Sequence, residues 1–248
     1  MGINNVAISI NNLSLQYNSN SVIDDICVEI KEGEITCLFG PSGCGKSTLL
    51  KAALGYLEPS GGEIKIGTTN ASDYDFPIAY VPQNNELFKW MNLFSNVALW
   101  HKESLEKIDT MIALKPDLAI KIVGLIEDKK KMPHELSGGM ARRTAIARCL
   151  ATNSKFMFLD EAFISVERKL RREIMFTIRK HIKDNNITCL LVSHDYEEAT
   201  FMSDRVIFLS AVPSKILKEV IVDLPSERSN ELFDSELFMK ATLKLVGG

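Results

Sequence analysis

A glycine-rich stretch that contains a lysine and a hydroxyl residue has the composition and spacing of a phosphate-binding loop. It reads Gly40-Pro41-Ser42-Gly43-Cys44-Gly45-Lys46-Ser47-Thr48 and fits the pattern G-x-x-x-x-G-K-[ST]. The glycines allow backbone conformations that turn successive N–H groups toward one anion. Lys46 would reach the β- and γ-phosphates of a nucleotide, and the hydroxyl of Ser47 would ligate Mg²⁺. This P-loop predicts nucleotide binding without specifying the reaction, because GTPases, kinases and motor ATPases share it.

The residues on either side of the P-loop supply the strand and the helix that such a loop requires. Residues 35–39 form an apolar run and are predicted to be a strand. Residues 47–57 read as a helix, whose N-terminus would attract a phosphate. This context makes a chance match to the pattern improbable.

Two acidic residues end a second apolar run. Residues 156–159 are four consecutive apolar residues, as in a buried parallel strand, and Asp160 and Glu161 follow them directly. Carboxylates at the end of a core strand suggest a metal site.

Gln83 and His194 also follow predicted strands, at residues 78–81 and 189–192. Ligands of α/β proteins bind at the carboxyl ends of the strands. By spacing alone, a solvated loop is the simpler interpretation for Gln83, and a lone histidine is more often structural than catalytic. The position of both residues at the ligand edge supports the functional alternative.

A serine and two glycines precede another predicted helix. The segment Leu136-Ser137-Gly138-Gly139 opens a helix that runs to about Ala151. A helix cap with a flexible lead-in is one interpretation, and a second anion site is the other. Tyr17 follows a predicted strand, where its ring could stack on a base, although spacing alone favours a half-buried core residue.

The hydrophobic pattern predicts an α/β fold with an inserted helical segment. Alternating residues near the N-terminus indicate antiparallel strands, with a turn at residues 18–21, and residues 87–151 are mainly helical in pattern. We therefore expect a core with antiparallel strands at about 1–86 and 152–248 and a helical subdomain at about 87–151. The remaining predicted strands are 6–10, 13–17, 26–30, 63–67, 206–209 and 216–222, and the remaining helices are 167–183 and 230–246.

Composition sets the class of protein. The chain has 248 residues and balances 29 basic against 32 acidic residues, which gives a net charge of −3 and no indication of a nucleic-acid partner. The five cysteines form no C-x-x-C pair, so reduced thiols are expected. No apolar stretch approaches the roughly 18 residues of a membrane span. We expect a soluble chain that stays inside the cell.

An aromatic and aliphatic cluster opens the helical segment. Packing within the subdomain is the simpler explanation, and a docking groove for a helix of another protein is the alternative. Its members are Leu87, Phe88, Trp90, Met91, Phe94 and Trp100.

The order of these motifs resembles that of the ABC transporter ATPases over nearly the whole chain. The sequence carries the P-loop, Gln83, Leu136 to Gly139, Asp160-Glu161 and His194 in the order typical of that family. The presence of Leu136 to Gly139 between the P-loop and Asp160-Glu161 is specific enough to exclude GTPases and nucleotide kinases. The resemblance implies a P-loop NTPase core of RecA-like type with an N-terminal antiparallel β-subdomain and an inserted α-helical subdomain.

The resemblance also implies a role for each polar residue. Tyr17 falls at the aromatic position that stacks on adenine, which reverses the simpler interpretation given above. Gln83 matches the glutamine that senses Mg²⁺ and the attacking water, and Asp160 matches the acid that holds Mg²⁺. Glu161 matches the general base, and His194 matches the histidine that contacts the γ-phosphate.

Two further implications concern the cofactors and the subunit partner. The P-loop residues 40–48 would hold ATP, with Lys46 as a catalytic residue and Ser47 as a Mg²⁺ ligand. Ser137, Gly138 and Gly139 match the signature loop, which in this family contacts the ATP held by the opposite subunit. A second ATPase subunit, most simply a copy of this chain, is therefore expected to complete each site.

Weaker features suggest the subfamily. The stretch at residues 90–97 and Met140 are similar to those of nitrate, sulfonate and taurine importers. The resemblance implies transmembrane permease subunits as partners through residues 87–100, and a substrate-binding protein as an indirect partner. It also implies a location on the cytoplasmic face of the inner or plasma membrane and a small organic or inorganic anion as the imported molecule.

Two positions depart from the family pattern. Ala162 replaces the usual proline after Asp160-Glu161, and Glu167 stands where the following loop normally has aspartate.

A soluble ABC ATPase of the translation or repair type, without a permease, is one alternative function. A non-hydrolysing regulatory module is the other, and the intact Lys46 and Glu161 argue against it.

Overall fold

The computed structural model describes residues 6–17, 20–84, 86–105 and 112–247. Ten strands and seven α-helices are assigned within these ranges. In chain order they are β1 (Val6–Tyr17), β2 (Asn20–Lys31), β3 (Ile35–Phe39), α1 (Lys46–Ala53), β4 (Gly61–Ile66), β5 (Thr69–Asn70), β6 (Ala79–Val81), α2 (Leu93–Leu105), α3 (Pro116–Ile122), α4 (Gly138–Ala151), β7 (Phe156–Asp160), α5 (Arg168–Asp184), β8 (Thr188–Ser193), α6 (Tyr196–Met202), β9 (Arg205–Leu209), β10 (Ile216–Ile221) and α7 (Glu236–Gly247).

The chain divides into two units. The first, here called the P-loop unit, comprises Met1–Asp75 and Asn186–Gly248, and the second, here called the signature unit, comprises Phe76–Asn185. The helices α2, α3 and α4 all fall inside the segment that the sequence predicts to be helical. The boundaries proposed for that subdomain, about 87–151, stay a prediction.

An antiparallel sheet forms one part of the P-loop unit, with the strand order β2-β1-β4-β5. Buried and exposed residues alternate along β2, as expected for a strand with one face on the core. The sequence predicts two short strands at 6–10 and 13–17, which is wrong, because β1 is a single strand with an irregularity between them. Asn12 adopts a φ of 47° there, and its Nδ2 donates to Oδ1 of Asp25 at 2.9 Å. Asparagine tolerates this conformation better than most residues do.

A second sheet in the P-loop unit contains β3, the strand that leads into the P-loop. The strands β9, β3 and β8 run parallel, and β10 pairs antiparallel with β9 at the edge, as the predicted final hairpin requires. All five residues of β3 and all six of β8 are buried. Continuous apolar runs are typical of parallel strands covered on both faces. The carboxyl ends of β3 and β8 lie at the same edge of this sheet.

The signature unit contains a parallel pair of strands and four helices. β6 pairs with β7 in parallel, and all five residues of β7 are buried. Ile174, Ile178 and Ile182 form the buried stripe of α5, as their spacing predicts. Within the described part of the chain, no helix has the length and apolar character needed to cross a membrane.

Two predicted helices have different limits in the structure. The helix predicted at 47–57 ends at Ala53, because Gly55 takes a φ of 74° and the N–H groups of Gly55 and Tyr56 bond back to the carbonyls of Ala52 and Lys51. The terminal helix begins at Glu236 rather than at 230. The extended Ser235 interrupts it and accepts a hydrogen bond from the N–H of Phe238 at 3.1 Å.

Candidate nucleotide-binding site

The P-loop follows β3 and leads directly into α1. Gly43 and Gly45 have φ values of 78° and 100°, in the left-handed region that favours glycine. A side chain at Gly45 would also meet Val22, because an added Cβ would lie 2.8 Å from its Cγ1. Gly45 is the N-cap of α1 and supplies no capping side chain. The first N–H groups of the helix are therefore suited to bind an anion.

Lys46 is held inside the P-loop by the loop itself. Its side chain is buried, and Nζ donates to the carbonyl oxygens of Gly40 at 2.9 Å and Pro41 at 2.8 Å. A buried ammonium requires such partners. The charge is thus fixed within the segment that the sequence assigns to phosphate binding. Pro41 and Ser42 are exposed, and Ser47 and Thr48 are half-buried.

The thiol of Cys44 lies beneath the loop rather than on its outer surface. Cys44 is only 1 % exposed, and Lys46 Nζ donates to its Sγ at 3.8 Å. Its carbonyl accepts a hydrogen bond from the hydroxyl of Ser214. Cys44 can therefore contribute to a phosphate cradle only through its backbone.

His194 lies at the same edge of the sheet as the P-loop. Phe39 and Ser193 are paired neighbours on β3 and β8, so Gly40 and His194 are the next residues at that edge. Ser193 Oγ donates to Oε2 of Glu198 at 2.7 Å and accepts from the N–H of Asp195 at 3.0 Å. These bonds fix the turn that carries the exposed His194.

In the signature unit the structure brings Gln83 and Glu161 together. Gln83 follows β6 and Glu161 follows β7, and Nε2 of Gln83 donates to Oε2 of Glu161 at 3.1 Å. Glu161 adopts a φ of 49°, which is uncommon for a residue with a side chain and often marks a functional position. The amide of Gln83 thus orients one oxygen of the proposed general base.

The chemistry of the predicted metal ligands fits Mg²⁺. Asp160 ends β7 and is fully buried, and its carboxylate, the amide of Gln83 and the hydroxyl of Ser47 all offer oxygen atoms. Mg²⁺ prefers such hard oxygen ligands and usually keeps several waters and substrate phosphates in its shell. No group of three or more His, Cys, Asp or Glu residues that could hold a metal occurs in the described ranges.

The signature loop caps α4. Ser137 is the N-cap, and its Oγ accepts from the N–H of Met140 at 3.2 Å. Ser137 and Gly138 are exposed, so this loop is accessible to another molecule. Gly139 approaches the backbone closely, because an added Cβ would lie 2.9 Å from the carbonyl oxygen of Ser165. Ser137 thus provides the helix cap that is the first interpretation of this segment. The exposure of Ser137 and Gly138 also agrees with the second interpretation, an anion site.

Tyr17 ends β1, where its backbone pairs with Asn20. Its side chain, the turn residues 18 and 19, and residues 106–111 of the helical segment lie outside the described part of the structure. The role of Tyr17 in stacking on adenine therefore stays a prediction.

Sequence reasoning missed one residue at this site. Arg142 on α4 is buried and donates hydrogen bonds to backbone carbonyls beside both Gln83 and Glu161. A signal was available, since Arg142 shares a helical stripe with the apolar residues Ala145, Ile146 and Cys149. A charged residue on an apolar stripe indicates a buried group with specific partners.

Comparisons with known proteins agree with the motif order. The sequence profile of a family described as "ABC transporter" matches residues 23–164. The chain is 34% identical over 218 residues to the taurine import ATP-binding protein TauB of Roseobacter denitrificans, covering 86% of this chain and 81% of the relative. It is 37% identical over 206 residues to the spermidine/putrescine import ATP-binding protein PotA of Marinobacter nauticus, covering 82% of this chain and 55% of that relative.

A solved structure has the same fold. The dimeric bacterial ABC transporter cassette MJ0796 matches with a TM-score of 0.77 and 26% sequence identity, covering 88% of this chain and 100% of the cassette. The predicted P-loop NTPase fold is thereby confirmed. Because the family profile spans more than half of the sequence and the taurine-import relative is matched over most of its length, this chain belongs to the ABC transporter family.

Proposed function

We propose that this chain is the ATP-hydrolysing motor subunit of an importer for a small organic or inorganic anion. The hydrogen bond between Gln83 and Glu161 is the observation that carries the proposal. It joins the loop after β6 to the carboxylate after β7, so a partner that moves this loop would also move the catalytic base. The name of the taurine-import relative supports import as the process that hydrolysis drives.

Each predicted residue has a task in this proposal. The backbone N–H groups of the P-loop residues other than Pro41, together with the ammonium of Lys46, bind the phosphates of ATP. Glu161 orients a water molecule and accepts its proton as the oxygen attacks the γ-phosphorus, and the bond to the β-phosphate oxygen breaks. The products are ADP and phosphate, and His194 contacts the γ-phosphate. Tyr17 stacks on the adenine ring.

Mg²⁺ would neutralise charge on the β- and γ-phosphates when bound. In the proposal Ser47 and Asp160 hold it, with Asp160 acting through water, and Gln83 contributes its amide oxygen. The donation from Gln83 Nε2 to Glu161 leaves that oxygen for this purpose. Titration of the wild-type chain and of Asp160→Asn with Mg²⁺, monitored by ATP affinity, tests this ligand set.

We infer that the active form contains two ATPase subunits, most simply two copies of this chain. The exposed signature loop supports this, as does the dimeric state of the similar cassette. Ser137, Gly138 and Gly139 would contact the ATP bound by the other copy. Measurement of molecular mass with and without ATP tests the inference, and a monomer at every ATP concentration would contradict it.

The contact with a permease is proposed at the loop before α2. Trp90 is 72% exposed and packs against Phe88, with their ring centroids 5.4 Å apart. Asn96 is buried and holds the loop backbone, donating to the carbonyls of Met91 at 2.9 Å and Asn92 at 3.1 Å. A large aromatic ring presented on a braced loop is a suitable anchor for a partner helix.

Co-purification with the permease tests this contact. Trp90→Ser should reduce the amount of permease recovered and leave ATP binding unchanged. Leu243→Ser is a matched control, since Leu243 is 60% exposed but lies on α7. Equal loss of permease in both variants would argue against a specific role for Trp90. A substrate-binding protein, as the indirect partner, should be recovered only when the permease is recovered. A contact between this chain and a permease would also place the chain on the cytoplasmic face of the membrane.

The choice of anion follows the taurine-import relative, while the polyamine-import relative points to a cationic alternative. Uptake of radiolabelled taurine and of radiolabelled spermidine should be measured in cells that carry either the wild-type chain or the Glu161→Gln variant. Uptake of taurine that depends on Glu161 supports the proposal. Uptake of spermidine alone with this dependence would favour polyamine import.

A further inference from the structure

A buried arginine forks between the two loops that carry the proposed catalytic side chains. Arg142 lies on the second turn of α4, the helix that begins at the signature loop, and is 4% exposed. Its Nη1 donates to the carbonyl oxygen of Pro82, and its Nη2 donates to those of Asp160 at 3.3 Å and Glu161 at 2.7 Å. One planar guanidinium therefore connects the end of β6 with the end of β7.

The three carbonyl groups belong to particular peptide units. The carbonyl of Pro82 is part of the peptide that leads into Gln83, and those of Asp160 and Glu161 belong to the two peptides that flank Glu161. Arg142 thus fixes the backbone immediately before Gln83 and on both sides of Glu161. These are the residues whose side chains are joined at 3.1 Å.

The backbone at Glu161 needs such support. A φ of 49° places it in the left-handed region, which is unfavourable for a residue with a side chain. Hydrogen bonds from a charged donor are stronger than those between neutral groups, and Arg142 places two of them on the carbonyls that flank this residue. The planar fork of arginine can serve several acceptors with little loss of rotamer freedom, whereas lysine presents a single point charge.

We propose that Arg142 is a positioning residue for ATP hydrolysis, which holds Gln83 and Glu161 in register through their backbones. It contacts neither the nucleotide nor the water itself. Because α4 also carries the signature loop, the same helix that offers this loop to a second ATP positions the base of its own subunit. The inference rests on the proposed function, in which Glu161 is the base.

The test compares Arg142→Lys and Arg142→Gln with the wild-type full chain. ATP turnover should be measured over a range of ATP concentrations, together with the thermal midpoint of each protein. We expect kcat to fall at least tenfold for Arg142→Lys and further for Arg142→Gln, while KM for ATP stays within about twofold. This split is expected because the base is misplaced while the P-loop is unchanged.

Arg143→Gln is the matched control. Arg143 is the next residue on α4 and also donates to two backbone carbonyls, those of Val123 at 2.8 Å and Gly124 at 3.3 Å, but it touches neither catalytic loop. Its kcat should stay within twofold of the wild type, because loss of helix packing alone does not displace the base.

Each outcome has a distinct meaning. A kcat within twofold of wild type in Arg142→Lys, or an equal loss in Arg143→Gln, would overturn the inference. If Arg142→Gln is too unstable to purify, Arg142→Lys decides alone, since it keeps the buried charge. A wild-type chain without ATP turnover would instead refute the proposed function on which the inference rests.

Discussion

The amide nitrogen of Gln83 lies 3.1 Å from Oε2 of Glu161, and this hydrogen bond joins two loops that are 78 residues apart in the sequence. A carboxylate that accepts a proton from water must present one oxygen in a defined direction. The amide of Gln83 donates to one oxygen of Glu161 and so helps to fix the orientation of the carboxylate. In the proposed function, the position of Gln83 therefore affects the base directly, and a displacement of its loop would alter the geometry of catalysis.

Replacement of Gln83 by alanine tests this relationship. We expect Gln83→Ala to lower kcat about tenfold, since positioning a general base contributes part of the roughly 10²–10⁴-fold effect of acid–base catalysis. ATP affinity measured without Mg²⁺ should change little, because the P-loop is intact. Asn84→Ala is the control at the next, exposed position. Unchanged turnover in Gln83→Ala would show that the hydrogen bond has no catalytic consequence.

Replacement of Glu161 by glutamine separates binding from hydrolysis. The variant keeps the size of the side chain but cannot accept a proton, so ATP should remain bound and uncleaved. We expect a dimer that persists with ATP, measured by light scattering after size-exclusion chromatography. Lys46→Ala should fail to form it, because phosphate binding is lost first. Only monomer in the presence of ATP would count against the proposed two-subunit form.

Much of the fold could be predicted from local sequence. The strand–loop–helix context of the P-loop, the buried strand that ends at Asp160 and the final hairpin all follow from continuous or alternating apolar residues. These patterns report burial directly, so the strands among these elements agree with the structure to within one residue, whereas the helix after the P-loop ends four residues earlier than predicted. The positions of Gln83, Glu161 and His194 could also be predicted, because each follows such a strand.

The remaining features depend on contacts between residues that are distant in sequence. The single strand β1 results from pairing with β2 and β4, which spans the irregularity at Asn12. Helix α1 ends early through the left-handed Gly55, and glycine in a helical pattern does not by itself mark an end. The proposed role of Arg142 depends on the carbonyl groups of Pro82 and Glu161, which both lie within hydrogen-bond distance of its guanidinium. No local pattern of residues contains that information.

Cys44 lies in the P-loop but is buried, so alkylation of its thiol should be slow and should block ATP binding. Modification of Cys44 should block ATP binding, since an added group beneath the P-loop would displace its backbone. The reaction should be slow, because the thiol is 1% exposed, whereas Cys27 is exposed and should react first. Burial raises the pKa of Cys37 and of Cys149 to about 12, so those thiols should not compete.

A Cys27→Ser background isolates the effect of Cys44. In that protein, the fraction labelled by N-ethylmaleimide, measured by mass spectrometry, should equal the fraction that no longer binds ATP. Bound ATP should slow the labelling. A fully labelled protein with normal affinity for ATP would refute this prediction.

Asn96 stabilises the loop that presents Trp90. Its side chain is buried, accepts from the N–H of Phe88 at 2.8 Å and donates to three backbone carbonyls, including that of Phe88 at 3.1 Å. Asn96→Ala removes the partner of the Phe88 N–H and of the Met91 carbonyl, so the free energy of unfolding should fall by about 1–3 kcal/mol. The carbonyls of Phe88 and Asn92 keep the backbone N–H groups of Met91 and of residue 96. Urea unfolding measures the change. Ser95→Ala, a half-buried neighbour on the same helix, should cost less, and an equal cost would contradict the role of Asn96.

Glu167 provides a pH-dependent contribution to stability. Its carboxylate caps α5 by accepting hydrogen bonds from the N–H groups of Lys169 at 3.1 Å and Leu170 at 3.2 Å, and these bonds lower the pKa of Glu167. A depressed pKa in the folded state gives stability that is present above the unfolded value of about 4.3 and is lost as pH falls through the folded value. The thermal midpoint of Glu167→Gln should therefore be lower than that of the wild type at pH 7. The difference should shrink as the pH falls below about 4.3.

Glu167→Asp is the control, because aspartate keeps a titrating carboxylate and is a preferred N-cap. It should retain the pH dependence that Glu167→Gln loses. Aspartate is also the residue usual at this position in the family, so the ATPase rate of Glu167→Asp should be unchanged or higher. A large loss of rate would mean that the additional methylene of glutamate is required by this chain. A Glu167→Gln midpoint that remains equally depressed at pH 3 would show that the carboxylate does not act through its charge.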